Sequence, residues 1–302
     1  MSFIEKQRHG KHTYFYLVKN VRIRPNKVKK LRVWLGREIS KQNEMQKYFV
    51  ELEKRAMEQY ETKLLPKELV EKVDDLSASI TVFHKTHANV LPKDFLVRYT
   101  YNTNAIEGNR LTLRQTALVL NDRIAPEGTR TDDVIEALNS EDAWNFIKSY
   151  KNKLNKKYVC KIQYELTKNT SCRIQGDYRD GEVRIGGSEH VPPKFTEVPK
   201  LLEQLFSQFY LERKALHPIE LATFIHNRFI NIHPFTDGNG RTARLLMNWI
   251  LIKSKFPPVI IEFSNKEQYY KSIEAADKGD QKPFAVFLAN QLLSQYTLPL
   301  PT

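Results

Sequence analysis

Two hydrophobic rhythms divide the chain. From His12 to Val18, HTYFYLV, aromatic and apolar side chains alternate as in a strand. The extended character continues from Val21 to Arg24, Pro25-Asn26 supplies a turn, and a third run covers Val28 to Leu35. A small β-hairpin or three-stranded module is therefore predicted over residues 1–37. From Glu38 to Thr62 the text becomes rich in Glu, Lys, Gln and Met without Gly or Pro, which predicts a linker helix over 38–62. From Pro66 onward helical spacing dominates, punctuated at Pro92, Pro126, Pro192-Pro193, Pro218 and Pro257-Pro258. Thr112 followed by Gln115 forms a capping box for the helix TLRQTALVLND, and Thr131 or Asp132 begins the next. Eight or more helices are expected within residues 63–302, so the fold class is mostly α. The exception is Arg179 to Val191, where Val183 and Ile185 alternate with charges between glycine turns and predict a short β-hairpin.

Composition narrows the class. The chain has 302 residues, 41% of them hydrophobic, which suits one main domain of about 200 residues with a smaller attachment. The opening MSFIEKQRHG has no apolar core, and no run of about 18 apolar residues occurs, so neither export nor membrane insertion is expected and cytoplasm is the default. Cys160 and Cys172 form no CxxC or metal spacing, which points to packing roles in a reducing compartment. Charge is uneven. Residues 1–37 hold eleven basic side chains against one acid, Glu5, a net of +10 out of +13 for the whole chain. A basic module on a nearly neutral body suits nucleic acid or another polyanion, and equally a solvated positive face with no partner.

The candidate chemistry is concentrated in twelve residues, HPFTDGNGRTAR, from His233 to Arg244. Gly238 and Gly240 allow a tight turn whose N–H groups point into one concavity, and Leu245, Leu246, Trp249 and Ile250 continue at helical spacing. A helix beginning at this turn offers unpaired donors and partial positive charge to an anion, with Arg241 and Arg244 on one face of its first turn. Asp237 is a hard oxygen ligand suited to Mg²⁺ beside phosphates, and His233 is the nearest group able to take a proton near neutral pH. Singly, each of these features is commonplace. Together they compose a triphosphate site.

HPFTDGNGRTAR resembles the signature of the Fic family, HPF-x-[DE]-GNGR-xx-R, at every fixed position. The resemblance covers roughly residues 95–295 and implies a Fic-type helical bundle with a β-hairpin flap. It implies a protein adenylyltransferase that moves AMP from ATP to a Ser, Thr or Tyr hydroxyl. In that reading His233 is the general base and Asp237 the Mg²⁺ ligand. Gly238, Asn239 and Gly240 form the anion-binding turn, and Arg241 and Arg244 hold the outer phosphates. Phe235 anchors the loop, and His226, on the same helical face as His233, is read as structural. Upstream, Thr103-Asn104-Ala105-Ile106-Glu107-Gly108 resembles the family's inhibitory segment, [ST]-x-x-x-E-[GN], within residues 95–120. Thr103, Glu107 and Gly108 match its fixed positions, and Glu107 is expected to pair with Arg244 and block productive ATP binding. Ile185 and Gly186 resemble the flap that holds a target protein by main-chain pairing, and are counted with the ATP-binding residues. Tyr269, Tyr270 and Asp277 align with the adenine and ribose side, although tyrosines at such spacing are commonly core. The expected partners are ATP, a target protein, nucleic acid through residues 1–37 and, in one alternative, a second copy of the chain. Two rival functions stand beside the leading one: removal of AMP from a modified protein, and nucleic-acid-binding regulation through the basic module.

Overall fold

The computed structural model describes residues 2–9, 12–24, 27–37, 42–57, 60–86 and 94–296. The Pro25-Asn26 turn and the break at Pro92 lie outside the described residues. Three antiparallel strands, β1 (Ser2–His9), β2 (His12–Arg24) and β3 (Lys27–Gly36), form one sheet in chain order. β2 runs through both of the first two predicted segments, and β1 was not foreseen, because its alternation mixes Glu, Lys and Gln with two apolar residues. The register pairs Phe3 with Val18 and Leu17 with Val33.

α1 (Gln42–Met57) differs from a linker. Leu52 and Ala56 pack on Leu17, Leu31, Val33 and Leu35 to form a small separate core, and Lys19 is ion-paired with Glu53 within it. A three-stranded sheet with one apolar face needs such a cover to be stable. α2 (Lys67–Thr86) then joins the helical body. The approach to α2 is fixed by the buried Glu220 carboxylate, which accepts the N–H groups of Lys63, Leu64 and Leu65 at 2.8–3.0 Å.

The body follows as α3 (Phe95–Ile106), α4 (Leu113–Ala117), α5 (Thr131–Ser149), α6 (Lys156–Thr167), α7 (Val198–Glu212), α8 (Pro218–Ile232), α9 (Asn239–Lys253), α10 (Lys266–Asp277) and α11 (Lys282–Gln295). The mostly helical class and the preceding β unit match the sequence expectation. The capping box is present: Thr112 Oγ1 accepts the Gln115 N–H at 3.2 Å and Gln115 Oε1 accepts the Thr112 N–H at 2.9 Å. The helix it starts turns π-helical over Leu118–Asp122 and stops at Arg123 in the left-handed region. α8 and α9 form the central antiparallel pair, with Ile225, Phe229, Ala243, Leu246 and Met247 among the buried residues of the main core. α3, α5 and α6 pack around the start of α9.

Arg179 to Val191 is an extended loop, not a hairpin with its own ladder. Its one internal main-chain bond is from Ser188 N–H to the Ile185 carbonyl, at 3.3 Å. Alternation is present in the sequence, but each arm is too short to form a ladder alone.

Helix α1 is predicted to be part of the sheet's core. Leu52→Ala should cost about 2–5 kcal/mol locally, visible as faster amide exchange across β2 and β3. Unchanged exchange there would return α1 to the role of a linker.

Candidate active site

α8 ends where Pro234 follows, since a proline disfavours helix in the residue before it. His233 takes the left-handed conformation (φ 49°) while its N–H still closes the last turn on the Phe229 carbonyl at 3.0 Å. The fully buried Phe235 fixes the next step of the loop. Asn239 then bridges the loop to the helix: its Oδ1 accepts the Phe235 N–H at 3.0 Å and its Nδ2 donates to the Phe235 carbonyl at 2.8 Å. Gly238 sits at φ 81°, where an added Cβ would also meet the Thr167 methyl at 3.3 Å. Asp237 is exposed, with Oδ1 on the Gly238 N–H at 2.6 Å and Oδ2 on Arg241 at 3.1 Å. The turn therefore presents the N-terminus of α9 beside an accessible carboxylate.

The two arginines of the first turn are buried and each meets a carboxylate. Arg241 donates to Glu136 of α5 at 2.9 Å as well as to Asp237. Arg244, 2% exposed, donates from Nε to Thr103 Oγ1 at 2.8 Å, and from a second nitrogen to the Thr103 carbonyl at 2.9 Å and to Glu107 Oε1 at 2.7 Å. The Tyr269 hydroxyl accepts its remaining terminus at 3.3 Å. Glu107 caps the C-terminus of α3, and Gly108 (φ 94°) turns the chain away. A Cβ on Gly240 would collide with the Glu107 carboxylate, so the glycine is what lets Glu107 reach the turn.

The structure thus brings His233, Asp237, Gly238, Asn239, Gly240, Arg241, Arg244, Thr103, Glu107 and Gly108 together. Ile185 and Gly186 lie on the loop that Arg179 anchors beside His233. Tyr269, aligned with the adenine and ribose side, is packed in the core. It is 1% exposed, with its hydroxyl between His226 Nε2 at 2.9 Å and Arg244, so it holds the arginine and offers no open ring face. Tyr270 is more open and donates to the Ile106 carbonyl at 3.2 Å. Asp277 accepts from Asn231 at 3.3 Å at the end of α10. His226 is structural, buried between Asn227 and Tyr269.

Two site residues escaped sequence reasoning. Glu136 accepts Arg241 with one oxygen and Asn109 Nδ2, at 2.8 Å, with the other, tying the turn after Glu107 to the first signature arginine. Arg179, 3% exposed, donates to the His233 carbonyl at 2.9 Å, to the Gly181 carbonyl at 2.9 Å and to the Pro193 carbonyl, while its N–H bonds the Pro234 carbonyl at 2.9 Å. One guanidinium therefore pins both ends of the 181–193 loop to the His-Pro step. An arginine in a loop carries no sequence signal for that.

Burial pulls the His233 imidazole down to about 4, helped by the charge on Arg179, so the ring is neutral at pH 7 with a lone pair available. The Arg241 Nε is buried without a hydrogen-bond partner, polar capacity that a ligand in the turn would use. An accessible Asp237 beside N–H donors and two guanidiniums fits a cation held between one carboxylate and phosphates. No cluster of three or more His, Cys, Asp or Glu side chains placed to hold a metal ion exists among the described residues.

Two outcomes follow from this geometry. Arg179→Ala should free the loop, so that limited proteolysis cuts within residues 181–193 faster than in the native chain; equal rates would refute the pinning. His226 is pulled down to about 3 and His233 to about 4. Both resist protonation in the fold, so below about pH 6.5 the unfolded chain binds more protons. Stability is therefore present above that pH and falls as the pH drops from about 6.5 to about 3, the His233 share ending at about 4. His226→Gln should flatten this fall in urea midpoint; an unchanged slope would contradict the assignment.

Residues 153–251 match the Fic/DOC family. A protein adenylyltransferase Fic of Nematostella vectensis is 34% identical over 238 residues, covering 75% of this chain and 54% of the relative. One of Drosophila grimshawi is 34% identical over 228 residues, covering 74% and 46%. The chain thus spans about half the length of these curated relatives. Among solved structures, Fic-1 from C. elegans (residues 134–508) has a TM-score of 0.66 at 28% identity, over 76% of this chain and 69% of that one. A Fic-domain signaling protein from Bacteroides thetaiotaomicron has a TM-score of 0.66 at 25% identity, over 78% and 94%. With the complete signature and its geometry in place, the chain belongs to the Fic/DOC family.

Proposed function

We propose that the chain is a protein adenylyltransferase restrained by its own Glu107. The observation that carries this reading is the pairing of Glu107 with Arg244 in an intact phosphate-binding turn. The relatives' name supports the activity, and the chemistry fits it. In the reaction a target hydroxyl oxygen attacks the α-phosphorus of ATP, the bond to the bridging oxygen breaks, and pyrophosphate leaves. His233, neutral at pH 7, takes the hydroxyl proton. The N–H groups at the start of α9 and the guanidiniums of Arg241 and Arg244 hold the triphosphate and its developing charge. Asp237 would hold Mg²⁺, which when bound neutralises phosphate charge.

The loop supports capture of the target by its main chain. The N–H groups of residues 182–185 make no hydrogen bond among the described residues, which leaves an edge for an extended segment to pair with. Glu107 restrains the reaction because its carboxylate occupies the guanidinium that the outer phosphate would take and repels that phosphate. Cytoplasmic location belongs to the same proposal; Cys160 and Cys172 are both free thiols. No described helix is long and apolar enough to cross a membrane.

A second reading, removal of AMP from a modified protein, is favoured by the placement of Glu107. Its carboxylate faces the same turn and its charge favours the protonated form of His233; in this reading it would orient a water.

ATP labelled at the α-phosphate separates the readings. Glu107→Gly should raise label transfer to the chain itself or to a lysate protein by roughly tenfold or more, and His233→Ala should lower it by about 10²–10⁴. No rise in the Glu107 variant would remove the restraint. Loss of AMP from a labelled protein that requires Glu107 would favour the second reading.

A further inference from the structure

The N-terminal sheet has two faces, and only one is covered. Leu17, Leu31, Val33 and Leu35 turn toward α1, the one helix that packs on the sheet among the described residues. The register defines the opposite face. Trp34 lies beside Tyr16, which lies beside Glu5; Arg32 lies beside Val18, which lies beside Phe3; Lys30 lies beside Asn20. Trp34 is 60% exposed and Phe3 45%. The Arg37 guanidinium sits 5.9 Å from the Tyr14 ring centre. Lys30 and Arg32 reach across the sheet to the Glu5 carboxylate at 2.7 and 3.3 Å, above a fully buried Val18.

A single exposed aromatic residue is ordinary. Here Trp34 and Tyr16 are direct cross-strand neighbours on one face, so their Cβ atoms stand roughly 5 Å apart, flanked by Lys30, Arg32 and Arg37 within a segment of net charge +10. We propose that this outer face binds single-stranded nucleic acid, with unpaired bases stacking on Trp34 and Tyr16 and phosphates held by Arg32, Lys30 and Arg37. Every base has a π-face that an aromatic ring can stack on once it is unpaired, and a basic surface follows the backbone. A duplex keeps those faces inside its own stack, where this pair of rings cannot reach them. Glu5 occupies the two cations that a phosphate would take, so it sets an internal competitor at the same spot. The surface is distinct from the turn of α9 and concerns binding, so it stands whether or not the transfer reaction proposed for that turn is correct.

The full chain carries its own reporter. Of its three tryptophans, Trp144 and Trp249 are buried at 3% and 5% exposure, leaving Trp34 as the one open to a quencher. Titration with oligo(dT) and oligo(U) of about twelve nucleotides should quench tryptophan fluorescence saturably, DNA and RNA differing only in degree. By anisotropy, Trp34→Ala should weaken binding on the order of tenfold, and Trp34→Phe should keep most of the affinity while losing the quench. Arg32→Ala should lower the slope of log affinity against log salt by about 0.7. Glu5→Gln should tighten binding by freeing both cations. The proposal is overturned by no binding at low salt, or by a duplex binding as tightly with no effect of Trp34→Ala. Binding to phosphatidylserine vesicles without binding to either oligonucleotide would also overturn it.

Discussion

The buried charge of Arg244 is the constraint on which the rest of the site depends. A guanidinium cannot shed its proton in a protein, so at 2% exposure it must be met by acceptors. Thr103 supplies two, Tyr269 a third and Glu107 a fourth. Three of them are neutral and stay in place if the carboxylate leaves. The arginine would therefore not be stranded if Glu107 gave way to another anion, which is what the proposed restraint requires. The same network explains why Tyr269 is buried: its hydroxyl joins Arg244 to His226 and so couples α9 to α8 and α10.

The loop between α8 and α9 is set by constraints that reinforce one another. Pro234 ends α8, Phe235 is locked in the core, and Asn239 hydrogen-bonds both main-chain groups of Phe235. Arg179 holds the other side through the His233 and Pro234 carbonyls. His233, the anion turn and the root of the 181–193 loop are thereby parts of one arrangement, which is what the proposed transfer reaction, governed by positioning, needs.

Much of this was legible in the sequence because twelve contiguous residues carry it. Contiguity fixes relative placement almost by itself: His233, the turn and both arginines fall within one loop and one helical turn. Glu107 was legible only through a second motif, since nothing in residues 103–108 alone says that α3 crosses the start of α9. Glu136 and Arg179 were not legible, because their roles arise from three-dimensional meetings with Arg241 and with backbone carbonyls. Tyr269 illustrates the opposite error. The family resemblance aligned it with the adenine side, while packing makes it a buried hydrogen-bond partner, as its helical spacing allowed. The hairpin was overread from alternation, which specifies exposure of alternate residues but not that two arms will pair. The linker helix was underread, because the sheet that Leu52 and Ala56 cover lies behind them in the chain.

The central claim is that Glu107 and ATP compete for Arg244. The most direct measurement is calorimetric titration of ATP into four proteins: native, Glu107→Gly, Arg244→Ala and the double variant. The account predicts that removing Glu107 tightens binding when Arg244 is present and has little effect once Arg244 is gone. Equal tightening in both backgrounds would mean that Glu107 acts elsewhere, and would contradict it.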